Sequence, residues 1–118
     1  MKRLSSKSAL ITGAARGIGK AFASAYVAEG ATVAIADINL AAAEATAAEI
    51  GPGAYALHLD VTSQESIDKA ISKVEQRQGG LDILVNNAAL FDLAPIVEIT
   101  RASYDRLFQI NVGGTLFM

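Results

Sequence analysis

The sequence predicts an α/β fold: a parallel sheet covered by helices on both faces, three layers in all. Three observations carry this expectation. Short apolar runs alternate with longer segments of helical period about four times along the 118 residues, the pattern of βα units whose strands run parallel. Apolar residues make up 52% of the chain and charged residues 19%, a balance that favours a buried core over disorder. The length suffices for one core and not for a second domain of ordinary size, so residues 1–118 read as one domain.

The first strand is expected over 9–12, Ala-Leu-Ile-Thr. After a glycine-rich turn, a helix over about 17–29 places Ile18, Ala21, Phe22, Ala25 and Tyr26 on one side, and Gly30 stops it. A second strand over 32–37 leads to an alanine-rich helix over about 40–50, closed by Gly51-Pro52-Gly53. The third strand covers 54–59. Thr62-Ser63-Gln64-Glu65 then has the form of a capping box, with Thr62 as the cap. Ile67, Ala70, Ile71 and Val74 follow at i, i+3, i+4 and i+7, one buried stripe. The fourth strand is expected over 81–85, and a last helix from about Thr100 that is still running at Met118. On this reading the domain is incomplete at its C-terminal end.

Composition also bounds the partners. A net charge of −2 and a pI near 5.3 give no long-range attraction to nucleic acid or anionic lipid, so any phosphate must be held by a local device. The chain has no cysteine, which removes disulfides, thiolate catalysis and cysteine-bound zinc. Redox chemistry would have to come from a cofactor. No signal peptide is read in the basic start, no apolar run approaches the roughly 18 residues of a membrane span, and a cytoplasmic setting is expected.

The local device is Thr12-Gly13-Ala14-Ala15-Arg16-Gly17-Ile18-Gly19, between the first strand and the first helix. Small residues let a backbone approach a pyrophosphate, and a helix N-terminus offers free N–H groups and a positive dipole end. The spacing G-x-x-x-G-x-G departs from the commoner G-x-G-x-x-G. Asp37 ends the second strand, 18 residues beyond Gly19, near the offset of a ribose-binding acid. A carboxylate there accepts both adenosine ribose hydroxyls and repels a 2′-phosphate, which selects NAD over NADP; otherwise Asp37 only caps the next helix. Arg16 argues in the opposite direction, since a guanidinium pairs with a 2′-phosphate. Asp60 and Val61 either contact an adenine ring or help to cap a helix. His58 is a lone histidine with no second ligand near it in sequence, so no metal site is expected.

Together these residues resemble the short-chain dehydrogenase/reductase family, over nearly the whole chain. Residues 12–19 look like its cofactor turn, Asp37 like its NAD-selecting acid, and Asp60-Val61 like its adenine-pocket pair. Asn86-Asn87-Ala88-Ala89 looks like its Asn-Asn-Ala-Gly segment, with Ala89 where the family usually has glycine. Ile110-Asn111-Val112 resembles the family's helix asparagine, which implies a place for Asn111 in the catalytic set, holding a water and supporting a lysine. The resemblance implies a three-layer Rossmann fold that holds NAD. The segment 91–97, Phe-Asp-Leu-Ala-Pro-Ile-Val, is similar to bacterial sorbitol and related polyol dehydrogenases, which implies hydride transfer between nicotinamide and a polyol or secondary alcohol. Dimers or tetramers are also implied.

One departure matters more than the matches. The family's acid-base tyrosine stands four residues before a lysine. Here Tyr26, Tyr55 and Tyr104 are followed at that spacing by Gly30, Leu59 and Phe108. The 118 residues are therefore expected to hold the cofactor and, alone, to be inactive. Two other readings stay open: a nucleotide-binding module without catalysis, and a subunit whose site is completed by another chain.

Overall fold

The computed structural model describes residues 2–118. Four parallel strands stand in the order β3-β2-β1-β4: β1 (Ser8–Thr12), β2 (Thr32–Asp37), β3 (Ala54–His58) and β4 (Ile83–Val85). Every residue of β1 is buried, because it pairs on both sides, Ser8 to Thr12 with Thr32 to Ala36 and Ala9 to Ile11 with Ile83 to Val85. The chain steps outward from β1 to β3 and then returns to the other side of β1. That reversal opens a crevice beyond the carboxyl ends of β1 and β4, where doubly wound sheets bind their ligands.

Alternate residues of the strands feed two cores. Ala9, Ile11, Val33 and Ile35 face α1 (Gly17–Ala28) and α2 (Leu40–Ile50), through Ala23, Ala43 and Ala47. Leu10, Ala34, Ala36 and Leu57 face α3 (Gln64–Gln78), through Ile67, Ala70 and Val74. The three layers and the parallel sheet are thus as expected, and the stripe on α3 is too, with Ile71 packed at its margin.

The expected face of α1 is right only at Tyr26, which packs against the core. Gly19 and Ala23 are its buried residues, while Ile18 is 71% and Phe22 41% exposed. Small residues, Gly19 and Ala23, occupy the most buried positions and the larger Tyr26 and Val27 pack at the margin of the core, so ranking residues by size selects the wrong positions in the first turns. Strand β4 is shorter than expected and starts at Ile83: the Asp82 carboxylate accepts the Ser8 N–H at 2.8 Å, which takes that donor out of the ladder. The third strand ends at His58, one residue early.

The cap of α3 is Ser63, whose hydroxyl accepts the Ser66 N–H at 3.2 Å. Thr62 donates instead, giving its hydroxyl (2.7 Å) and its N–H (2.9 Å) to the Asp60 carboxylate. Glu65 reaches forward to Lys69 at 2.9 Å rather than back to a cap. The last segment begins as expected, with Thr100 capping α4 (Arg101–Phe108), but widens into a π turn, Gln109–Gly113, before α5 (Gly114–Phe117). Gly113 and Gly114 are weak helix formers, and Gly114 is buried against Val61: a Cβ there would stand 2.6 Å from Val61 Cγ2. No described helix is long and apolar enough to cross a membrane.

Candidate functional site

A cleft of about 540 Å³ lies at the reversal point. Its lining brings together nine of the residues singled out from sequence: Gly13, Arg16, Gly17, Asp37, Asp60, Val61, Asn87, Ala88 and Ala89. Ile18, Gly19 and Asn111 lie outside it.

The glycines of the turn serve different ends. Gly13 (φ +64) and Gly17 (φ +61) take the left-handed conformation, which a Cβ disfavours. A Cβ on Gly13 would also stand 2.9 Å from Ala88 Cα, whereas one on Gly17 would meet nothing within 4 Å. Gly17 thus faces open space at the start of α1. Gly19 turns inward: a Cβ there would lie 2.6 Å from Asn87 Nδ2 and 2.7 Å from the Gly13 carbonyl. Among the described residues, the N–H groups of Gly17, Ile18 and Gly19 donate to no protein acceptor, as at any helix start, where the positive dipole end can meet an anion.

The turn is braced from both neighbouring strands. Asn87 donates its side-chain amide to the carbonyls of Thr12 and Gly13, both at 3.1 Å. The Thr12 hydroxyl accepts the N–H groups of Asn87 (3.0 Å) and Ala88 (2.9 Å). On the other side, Asp37 accepts the Ala15 N–H at 3.2 Å and the Asn39 N–H at 3.0 Å, one on each oxygen. The cap of α2 is Asn39, which accepts from Ala42. Asp37 is therefore not the cap, and its carboxylate lies at the cleft.

Asp60 stands at the mouth between β3 and α3. The Thr62 hydroxyl and N–H hold its carboxyl below the usual carboxylate range, against a smaller opposing effect of burial. Asn111 sits in the π turn and directs its amide at the backbone of Leu90. Among the described residues no group of three or more His, Asp or Glu side chains is placed to hold a metal ion.

The model of the short chain dehydrogenase family matches residues 7–118. This chain belongs to that family. It is 74% identical over 116 residues to a sorbitol dehydrogenase of Cereibacter sphaeroides, an alignment covering 98% of this chain and 45% of the relative. A galactitol 2-dehydrogenase of Agrobacterium fabrum is 59% identical, with the same coverage of each. Among solved structures, a 3-ketoacyl-(acyl-carrier-protein) reductase from Brucella melitensis, complexed with NADH, superposes with a TM-score of 0.92 at 34% identity, over 98% of this chain and 48% of that one. The chain spans under half the length of the relatives it matches.

Seven further residues line the cleft: Ala15, Ile38, Asn39, Ala42, Leu59, Leu90 and Ile110. Ala15 lies within the turn, and Asn39 is the cap of α2. Ile38, Leu59, Leu90 and Ile110 each adjoin a motif position, displayed because the strand ends and the turn open there. Ala42 belongs to the first turn of α2, and nothing in its residue type marks it. Ile110 flanks Asn111 and packs on the core beneath α3.

Proposed function

We propose that these residues form the NAD-binding part of an oxidoreductase that moves a hydride between the nicotinamide and a polyol or secondary alcohol. The observation that carries this is the Asp37 carboxylate at the cleft, beside a glycine turn whose helix-start N–H groups have no protein acceptor and where Gly17 leaves open space. The names of the relatives, sorbitol and galactitol dehydrogenases, support the substrate class, and the NADH of the structural neighbour supports the cofactor.

The residues fit a dinucleotide. Gly13, Arg16, Gly17, Ile18 and Gly19 would hold the diphosphate, since Gly17 leaves room for it and the start of α1 supplies free N–H groups. Asp37 would accept the adenosine ribose hydroxyls and repel a 2′-phosphate. Asp60 and Val61 would border the adenine, and Asn87, Ala88 and Ala89 the nicotinamide ribose. When bound, the dinucleotide supplies the hydride carrier that no side chain provides. Asn111 is proposed as a positioning residue of the catalytic set, through its hold on Leu90. Residues 1–118 are proposed as one Rossmann domain that more chain would complete, in a cytoplasmic, homo-oligomeric enzyme.

These 118 residues contain no Tyr-x-x-x-Lys, and a general acid-base group contributes roughly 100- to 10,000-fold. The test is to follow NADH absorbance with sorbitol and galactitol, for the protein at full length and for a polypeptide of residues 1–118. Turnover by the first alone is expected. Turnover by residues 1–118, or none by the full-length protein with any polyol or secondary alcohol, would overturn the proposal.

A further inference from the structure

We infer that Thr46, in the middle of α2, is a positioning residue for the phosphate-binding turn: its hydroxyl fixes the Ala15 carbonyl and thereby aims the next N–H into the cleft. The inference rests on the dinucleotide reading above and assigns a part to a residue outside the glycine turn.

A threonine inside a helix commonly turns its hydroxyl back to a carbonyl of its own preceding turn. Thr46 does not. It is 4% exposed and lies between the buried Ala43 and Ala47, and it donates to the Ala15 carbonyl at 2.5 Å, 31 residues away in sequence. The same residue is held from its other end, where the Ala15 N–H donates to Asp37 at 3.2 Å. The Ala14 N–H donates to the Ala36 carbonyl at 3.1 Å. Residues 14 and 15 are therefore fixed at three points, two on β2 and one on α2.

The consequence follows from peptide geometry. The Ala15 carbonyl and the Arg16 N–H belong to one planar trans peptide, so they point in opposite directions. Drawing the carbonyl back into the α2 side turns the Arg16 N–H away from α2. Ala15, Arg16 and Gly17 line the cleft, and the Arg16 N–H donates to no described protein acceptor. Thr46 thus orients the first of the donors that an anion at the start of α1 would meet. A valine has nearly the same shape without the hydroxyl, and would leave the Ala15 carbonyl buried without its partner.

The experiment compares the wild-type protein at full length with Thr46→Val and Thr46→Ser, measuring binding of NADH and of adenosine, which carries no phosphate. Amide hydrogen exchange at Arg16 to Gly19 is measured without ligand. Loss of the oriented donor is expected to weaken NADH binding about 3- to 10-fold in T46V while adenosine stays within about twofold, and T46S should return NADH to within about twofold of wild type. Exchange at Arg16 and Gly17 should change in T46V and not in T46S. If T46V does not fold, T46A makes the same comparison. Equal NADH binding in wild type and T46V, or equal losses for NADH and adenosine, would overturn the positioning role. Failure of wild type to bind NADH would remove the dinucleotide reading instead, and unchanged exchange in T46V would still overturn the role of Thr46.

Discussion

The side-chain amide of Asn111 meets the backbone of Leu90 at both ends: its oxygen accepts the Leu90 N–H at 2.8 Å and its nitrogen donates to the Leu90 carbonyl at 2.9 Å. The pair ties the π turn to the loop that leaves β4 and lines the cleft. Replacing Asn111 with Ala deletes both bonds, each worth about 0.5–1.5 kcal/mol net. Exchange of the Leu90 amide should then rise by about tenfold or more, a local opening without global unfolding. Exchange unchanged from wild type would show that the loop holds its shape without Asn111.

Asp37 uses each carboxylate oxygen for one backbone N–H, and it faces the cleft. Asp37→Ala should weaken NAD binding and reduce the preference for NAD over NADP by about tenfold or more, since repulsion of a 2′-phosphate disappears with the charge. Fluorescence titration with NADH and NADPH reads both. A preference equal to that of wild type would limit Asp37 to bracing the turn.

Gly17 and Gly19 make a matched pair for separating backbone strain from crowding. Gly17→Ala meets no atom and pays only for its positive φ, about 1–2 kcal/mol. Gly19→Ala drives a methyl against Asn87 Nδ2, the Gly13 carbonyl and Ala14 Cα, an overpacking that adds about 1–3 kcal/mol or more in a braced region. Urea unfolding should rank G19A below G17A. The reverse order would mean that the turn and Asn87 shift freely.

The order of the elements, the parallel sheet and nine of the cleft residues were legible in the sequence because each rests on local pattern: alternation of apolar runs, glycine at a strand-to-helix turn, an acid at a strand end. What escaped depends on distance between elements. Gly19 is buried where Ile18 is not because the turn and Asn87 close on it, a Cβ there standing 2.6 Å from Asn87 Nδ2, and no periodicity reveals that contact. The exchange of roles between Thr62 and Ser63 turns on Asp60 competing for the Thr62 hydroxyl. Asn111 was singled out by resemblance, yet its partner Leu90 is 21 residues away, and Thr46 looks like any helix threonine until α2 is laid beside the turn.

Tyr55 is 8% exposed, donates its hydroxyl to Gln78, and lies under the Arg77 guanidinium at 4.3 Å. Burial pushes its phenol up from 10 to about 12, against a smaller downward pull from Arg77. A folded-state value above the unfolded one means that the neutral phenol's contribution is complete below about pH 10 and is lost as pH rises toward 12. Unfolding free energy should fall across that window more steeply in wild type than in Tyr55→Phe. Parallel curves for the two proteins would show that Tyr55 titrates as freely folded as unfolded.

A polypeptide of residues 1–118 on its own is expected to associate. All three residues of β4 are only half-buried, and among the described strands β4 pairs with β1 alone. One row of its N–H and C=O groups is therefore left open beside Ile83, Leu84 and Val85, a template for pairing between copies. The loop after it adds Phe91, Leu93, Ile96 and Val97, each at least 84% exposed, and α4 and the π turn add Phe108 and Val112 at about half exposure. Apolar surface of this kind, gathered beside an open strand, favours contact with another protein surface. Multi-angle light scattering should show dimers or larger species growing with concentration. A monodisperse monomer whose β4 amides are protected from exchange would show instead that the four strands close their own edge.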